Sequence, residues 1–308
     1  MHLTVLSRST SIYTTRRLGE AARERGVGVR VVDPLDVELG LGEGEGGPAV
    51  YWRGKRFPRT DVVVPRIGLS VHQYGLAVVN QLELLGLPLL NGSWGIAASR
   101  NKMRILQLLA AEGVPVPRTV MASNPSGLKE MVRLVGGPPV MVKLLSSNER
   151  SGVMICESLQ SLEAALEAIL GLGQNIVVQQ YLHGRRARDL RVLVVGGEVV
   201  AAMRRSAPVG RLSKDLRRGA RFEAVDLPAR HTRIALEAAR ILRLEACAVD
   251  MLEVNGGPHV FEVNGSPSIR EAEAACGVDV AGRIVERAVA LASAGRRGLV
   301  GRRRAAAS

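Results

Sequence analysis

The chain has 308 residues, 46% of them hydrophobic and 23% charged, with a formal net charge of +13. That length suits two or three packed domains with ample core, and no apolar run reaches the ~20 residues of a membrane-spanning helix. The N-terminus opens on a short strand pattern in place of a signal peptide, and Cys156, Cys247 and Cys276 lack metal or redox spacing, so free thiols and a cytoplasmic location are expected.

In chain order, residues 3–6 read as a strand, 14–25 as a helix stopped by Gly26, and 27–34 as a strand ending at Asp33-Pro34, which together make a βαβ unit. A Gly-rich loop over 40–47, a basic hairpin around Trp52 to Phe57, a strand over 61–68 and a helix near 72–85 complete a small parallel α/β domain. No glycine fingerprint lies between its first strand and helix, which argues against a dinucleotide site there.

From Asn101 the pattern changes. An amphipathic helix closed by Gly113 leads into a proline-punctuated strand, then a strand over 138–145, the loop SSNERSG (146–152), a helix over 161–170 and a strand over 176–182. In LRVLVVGGEVVAAMRR, Gly196-Gly197 predicts a two-residue hairpin between apolar strands. A helix over 228–242 and a closing helix over 278–294 make the second half α+β with antiparallel hairpins.

The segment VDMLEVNGGPHVFEVNGSP (249–267) repeats EVNG, and the first copy reads as the turn of a hairpin. Glu262 and Asn264 share a strand face, and Asp250 joins them across the ladder if the turn has an odd number of residues. The face is expected to carry Leu252, Val254 and Val260 as well, and acids in apolar surroundings call for a neutralising cation. An oxygen-only donor set suits Mg²⁺ or Mn²⁺. The alternative is that the two acids lie on the solvated face of an ordinary hairpin.

Charge clusters in two places. Arg296, Arg297, Arg302, Arg303 and Arg304 mark 296–308 as a basic, disordered tail, while 3% aromatic content and the lack of a binding signature argue against nucleic acid. Residues 185–221 hold eleven basic side chains against three acids, a surface suited to an anionic partner.

Lys102, VMVKLL with Lys143, VVQQYL, RDLRVLVVGGEVVAAMRR, AVDML and FEVNGSP occur in the order and spacing of an ATP-grasp carboxylate-amine ligase, and the chain resembles the RimK-type α-L-glutamate ligases in particular. The likeness spans nearly the whole chain, including VVVPRIG. It implies an α/β and α+β molecule: a RimK-like N-terminal α/β domain over 1–95 and an ATP-grasp domain over 96–295 whose two subdomains sandwich ATP.

The same resemblance implies roles. Lys102 and Lys143 lie near the phosphates, Gln180 and Tyr181 present backbone to the adenine edge, and Asp189 makes a polar contact to the nucleotide. Ser213, Lys214 and Asp215 belong to the nucleotide and second-metal region. Two ions, Mg²⁺ or Mn²⁺, fall to Asp250, Glu262 and Asn264, while Arg191 and Arg205 hold the phosphoryl group and the oxyanion. The implied reaction joins an amino acid, glutamate by the resemblance, to an acidic peptide or small-molecule acceptor through an acylphosphate. The family is often oligomeric.

Four departures keep alternatives open. The phosphate loop SSNERSG retains only Gly152, an acidic linker position is Gln180, an expected Asn is Asp215, and SPSIREAEAACG (266–277) lacks the glycines usual after the metal strand, so a diverged acceptor recognition is expected. A different amino-acid or cofactor substrate, or a nucleotide-binding protein without turnover, are the other readings.

Overall fold

The structure, a computed structural model, describes residues 1–42, 48–122, 127–144, 153–170, 176–182, 188–206, 221–254 and 257–305. Strands β1 (His2–Leu6) and β2 (Gly28–Val32) flank α1 (Tyr13–Glu24), whose buried face carries Thr14, Leu18, Ala21 and Ala22. The helix ends before Gly26, which adopts a left-handed φ of 66°. β1 pairs in parallel with β2 on one side and with β6 (Val62–Pro65) on the other, giving the order β2-β1-β6. Between them, β3 (Val37–Gly40), β4 (Ala49–Trp52) and β5 (Lys55–Arg56) form a separate antiparallel sheet. Helix α2 (His72–Leu84) agrees with the periodicity.

Helix α3 (Ser93–Arg100) was not expected, because SWGIAASR has weak helix propensity. Tertiary packing overrides that: Gly95, Ile96 and Ala98 are buried, and a Cβ at Gly95 would stand 2.8 Å from the Leu242 carbonyl oxygen. α4 (Lys102–Ala111) then leads to β7 (Thr119–Ala122), α5 (Leu128–Val135), β8 (Val140–Leu144), β9 (Val153–Cys156), α6 (Leu159–Leu170) and β10 (Ile176–Gln180). These strands form an antiparallel sheet in the order β7-β10-β8-β9. Its own small core joins Val140, Val142, Cys156 and Val178 to Val132 and Val135 of α5 and to Leu162, Leu166 and Ile169 of α6. Alternate residues point the other way, and Met121 and Val153 stay 52% and 41% exposed.

The third sheet has the order β13-β12-β11-β14-β15, from β11 (Arg188–Val195), β12 (Glu198–Ser206), β13 (Arg221–Ala224), β14 (Ala246–Val254) and β15 (Gly257–Asn264). The predicted β11–β12 hairpin is present, with Gly196 and Gly197 at φ of 61° and 79°. One face packs Leu190, Val192, Val194, Val249 and Met251 against Ile234, Ala235 and Ala238 of α7 (Ala229–Ile241). The other packs Leu193, Val195, Met203 and Ala248 against α8 (Arg270–Cys276) and α9 (Val280–Ala305), and onward against Leu3, Val5, Leu18 and Val62. One continuous core therefore joins the N-terminal domain to this sheet, each large apolar side chain contributing about 1.5–3 kcal/mol by burial.

Polar bonds stitch the same seam. Glu273 accepts from Tyr13 at 2.8 Å and pairs with Arg17 at 3.2 Å. The buried Asn91 donates to the carbonyls of Ala246 and Gly265, both at 2.8 Å. The basic end, expected as a disordered tail from 296, instead continues α9 to Ala305, in keeping with the helix propensity of its Ala, Leu and Arg residues. Among the described residues, no helix is long and apolar enough to cross a membrane.

Candidate active site

The five-stranded sheet turns polar toward one end of the face that packs on α8 and α9. Along β11 the residues on that face run Leu193, Arg191, Asp189; on β12 Met203 gives way to Arg205, and on β14 Ala248 gives way to Asp250. Asp250 stands opposite Arg191 on one side and opposite Glu262 on the other, and Asn264 lies one pleat beyond Glu262. Sheet register alone thus brings Asp189, Arg191, Arg205, Asp250, Glu262 and Asn264 together.

The two arginines expected to meet the reacting groups are each held by an acid. Arg191 grips Asp250 with both ends of its fork, Nε to Oδ1 at 2.7 Å and Nη2 to Oδ2 at 2.6 Å. Asp250 is only 2% exposed, so this is a desolvated, charge-assisted pair. Burial works against the Arg191 charge, but the Asp250 bonds and the nearby Glu262 and Asp189 hold its pKa above the usual value. Arg205 donates from Nε to Asp189 Oδ2 at 2.8 Å, and its Nη2 reaches the same oxygen. The other Asp189 oxygen, Oδ1, is buried with no hydrogen-bond partner among the described residues. Burial pushes the Asp189 carboxyl above the usual range, with Arg205 opposing.

The convergence of Asp250 and Glu262 arises by a route the sequence reading did not foresee. Val254 pairs with Gly257, so the turn has two residues and not an odd number. A bulge between Asp250 and Met251 restores the parity, because Met251 faces Val260 while Asp250 faces Glu262, leaving Phe261 as the extra residue. The same bulge turns Val260 to the opposite face, into the core under α7 rather than beside the acids.

Two carboxylates and an amide oxygen suit Mg²⁺, which keeps several waters and takes phosphate oxygens as further ligands. Among the described residues, no group of three His, Cys, Asp or Glu gathers, which leaves this mixed set as the candidate. Asp250 retains acceptor capacity while bound to Arg191, since each carboxylate oxygen has two lone pairs. Asn264 Oδ1 accepts from the Ser266 amide at 2.8 Å, which fixes the orientation of its side chain.

The four-stranded sheet supplies the opposing cation. Lys143 Nζ donates to Gln179 Oε1 at 2.7 Å, and Gln179 Nε2 donates to Thr119 Oγ1 at 2.8 Å. Burial, reinforced by the charge on Lys102 and opposed by Glu262, pushes Lys143 down to about 8. Lys143, Lys102 and Glu262 therefore share one electrostatic environment although they come from a strand of each sheet and from α4. Lys102 is the exposed first residue of α4, whose N-cap, Asn101, accepts from the Arg104 amide at 2.9 Å. A helix N-terminus bearing a lysine is suited to an anion. Around Lys143, the same sheet face presents Met121, Met141, Val153, Ile155 and Val177, an apolar lining suited to a flat base.

Gln180 ends β10, where its backbone N–H donates to the Arg118 carbonyl at 2.8 Å and its Oε1 accepts from Arg118 at 3.4 Å. Tyr181 follows, half-buried. Ser213, Lys214, Asp215 and the loop 146–152 lie outside the described residues. Gln179 and Thr119 escaped the sequence reading; the available signal was the period of two, which puts Gln179 on the face of Val177 and not with Val178 in the core.

Comparison with known proteins identifies the family of the chain. Residues 1–96 match the family model of the RimK PreATP-grasp domain, and residues 99–288 match that of the RimK-like ATP-grasp domain. The chain is 41% identical over 303 residues to a "Probable alpha-L-glutamate ligase" of Halorhodospira halophila, covering 98% of this chain and 100% of the relative. A relative of the same name from Teredinibacter turnerae is 43% identical over 286 residues, covering 93% and 94%. Among solved structures, the ATP-grasp ligase PsnB complexed with its minimal precursor superposes with a TM-score of 0.74 at 23% identity, over 94% of this chain and 98% of that one. The D-alanine–D-alanine ligase of Bacillus anthracis complexed with ATP gives 0.66 at 17% identity, over 97% and 99%. These two likenesses concern the fold.

Proposed function

As a member of the RimK-type ATP-grasp family, the chain is an ADP-forming carboxylate-amine ligase, and we propose that it joins L-glutamate to an acidic acceptor through an acylphosphate. The observation that carries this reading is the convergence of Asp250 and Glu262 across the β14–β15 ladder, with Asn264 one pleat beyond, together with Lys143 held by Gln179 on the other sheet. ATP brings concentrated negative charge, which the lysines attract and the acids tolerate only with a cation present. Mg²⁺ on Asp250, Glu262 and Asn264 would neutralise phosphate charge when bound.

The acceptor carboxylate attacks the γ-phosphorus and ADP leaves; the amine then displaces phosphate from the acyl carbon to form the amide. The chain contributes position and charge, the main needs of phosphoryl transfer. Lys143, held by Gln179, and Lys102 bind phosphate oxygens. Arg191 orients Asp250, and Arg205 orients Asp189 so that its unpartnered Oδ1 is available to the nucleotide. The backbone at Gln180 and Tyr181 lines the adenine edge, and the apolar face around Met121 and Val153 excludes water from the base. Asp215, with Ser213 and Lys214, is assigned to a second ion and the phosphates.

An acidic acceptor is supported by the excess of eight positive charges over residues 185–221, eleven basic against three acidic side chains. ADP release should be faster with L-glutamate plus a glutamate oligomer than with neutral or basic acceptors, and hydroxylamine should trap the activated carboxylate as a hydroxamate. Higher ionic strength should raise the acceptor KM more than the ATP KM. A neutral or basic acceptor that works best, with a KM indifferent to salt, would overturn the acidic-acceptor reading.

A further inference from the structure

Arg66 follows β6 directly, and Arg100 is the last residue of α3. Both side chains are half-buried where the N-terminal domain meets the end of the candidate metal strand. Arg66 Nη2 donates to the Pro267 carbonyl at 2.7 Å, and Arg100 Nη2 donates to the carbonyl of Ile67. Burial, followed by the neighbouring charge of Arg100, pushes Arg66 down to about 10, with no acid acting in the opposite direction. That sets Arg66 apart from Arg17, Arg25, Arg191 and Arg205, each of which is matched by an Asp or Glu.

A guanidinium in a partly desolvated place, beside a second cation and with no acidic partner among the described residues, is unfavourable unless an anion joins it. A second observation points the same way. Ser266 Oγ, adjacent to Pro267, is buried and has no hydrogen-bond partner among the described residues. The location is also telling: Arg100 precedes Lys102 by two positions, and Pro267 follows Asn264 by three. At ~3.3–3.6 Å per residue, the carbonyl held by Arg66 lies within about 11 Å of the metal-strand amide.

We propose that Arg66, with the Ser266 hydroxyl, forms a carboxylate subsite that holds the α-carboxylate of the incoming amino acid, the one that is not activated. The inference rests on the ligase reading above and specifies how that ligase handles its amine substrate. An amino acid that supplies the nucleophile also carries a carboxylate that competes for the γ-phosphoryl group. It must be kept away from the phosphorus and given a positive partner, because Asp250 and Glu262 repel it. A guanidinium fork meets both needs, since two parallel N–H donors fix the carboxylate in place. The amine, one carbon away, is then left facing the acyl carbon.

The test uses the full-length protein and its Arg66→Gln and Arg66→Lys variants, with L-glutamate and its α-amide as amine substrates. Arg66→Gln should raise the L-glutamate KM at least tenfold while changing the ATP KM by less than about twofold, because a charged hydrogen bond is lost at one substrate only. Arg66→Lys, which keeps the charge but not the fork, should fall between. Wild-type enzyme should discriminate strongly against the α-amide, and Arg66→Gln should abolish the discrimination. An L-glutamate KM unchanged in Arg66→Gln, or ATP and glutamate KM values rising together with a fall in melting temperature, would reduce Arg66 to a strut between domains and overturn the proposal. Calorimetric titration of L-glutamate into each protein with Mg²⁺ and a non-hydrolysable ATP analogue separates the two inferences. If wild type releases no ADP with any amino acid, the ligase reading fails on its own. The subsite then stands if titration detects glutamate binding that Arg66→Gln removes, and falls if wild type binds none.

Discussion

The two sheets that contribute to the site are built differently. The five-stranded sheet is covered on both faces, by α7 on one and by α8, α9 and the N-terminal domain on the other. The four-stranded sheet packs α5 and α6 on one face, and its other face mixes buried Met141, Val177 and Gln179 with Met121, which is 52% exposed. The Asp–Arg pairs and candidate metal ligands sit on the doubly covered sheet, where packing holds side chains to fixed rotamers. The lighter sheet supplies Lys143 and an apolar surface, which the proposed function assigns to the nucleotide. On that reading the site would keep its charge geometry rigid and let its cover follow the ligand.

The largest expected effect tests the rigid side. Asp250→Ala should lower Mg²⁺-dependent ADP release by about a thousandfold or more and cost about 3–5 kcal/mol in stability, because Arg191 is left buried without its acid. Glu262→Gln should lose turnover with a smaller fall in melting temperature than Asp250→Ala, since Glu262 is half-buried and acts on Arg191 through its charge, while Asp250 bonds it directly. Normal Mg²⁺-dependent turnover in both variants would remove the metal assignment.

Core truncations compare the sheets directly. Leu193→Ala and Leu162→Ala each delete a fully buried side chain, which costs about 2–5 kcal/mol. The first should destabilise the whole molecule; the second should release amide protection only in β7 to β10. Hydrogen exchange that accelerates everywhere in both variants would make the two sheets one cooperative unit.

Lys143→Met should weaken ATP binding ten- to a hundredfold, or about 1.4–2.7 kcal/mol, and leave stability at pH 7 unchanged or raised. Its charge is penalised by burial in the free protein, so removing it relieves a cost. Titration calorimetry and a thermal melt check both halves, and a large fall in melting temperature would mean that Lys143 supports the fold rather than the ligand.

The smallest effect is the pH dependence of the same group. With Lys143 pushed down to about 8 from 10.5, the penalty on its charged form is fully present below about 8. Between 8 and 10.5 the unfolded chain binds the extra proton, so stability rises with pH across that window relative to Lys143→Met. ATP affinity runs the other way, falling above about pH 8, and binding at pH 8.5 should take up a proton. Calorimetry in two buffers of different ionisation enthalpy measures that uptake; none would place Lys143 away from the phosphates.

What the sequence determined by itself was local and periodic. Alternation in VVVP and LRVLVV, the stop at Gly26 and the turn at Gly196-Gly197 specify strands, helices and hairpins because each is decided within a few residues. The hairpin pattern and the resemblance named Lys102, Lys143, Asp250, Glu262 and Asn264 as candidates, and in the structure strand register sets Asp250 opposite Glu262 with Asn264 one pleat beyond. Other features depend on chain segments far apart. Helix α3 exists because Gly95 can approach the Leu242 carbonyl, and the opposition of Asp250 to Glu262 depends on a bulge at Phe261 that no turn rule reveals. Arg191 and Arg205 read as free cations aimed at substrate, yet strand order places each opposite an acid, while Arg66, unremarkable in VVVPRIG, has no acidic partner among the described residues. Periodicity fixes which face a side chain takes, but the charge it meets there depends on register between strands many residues apart, and only the folded sheet sets that register.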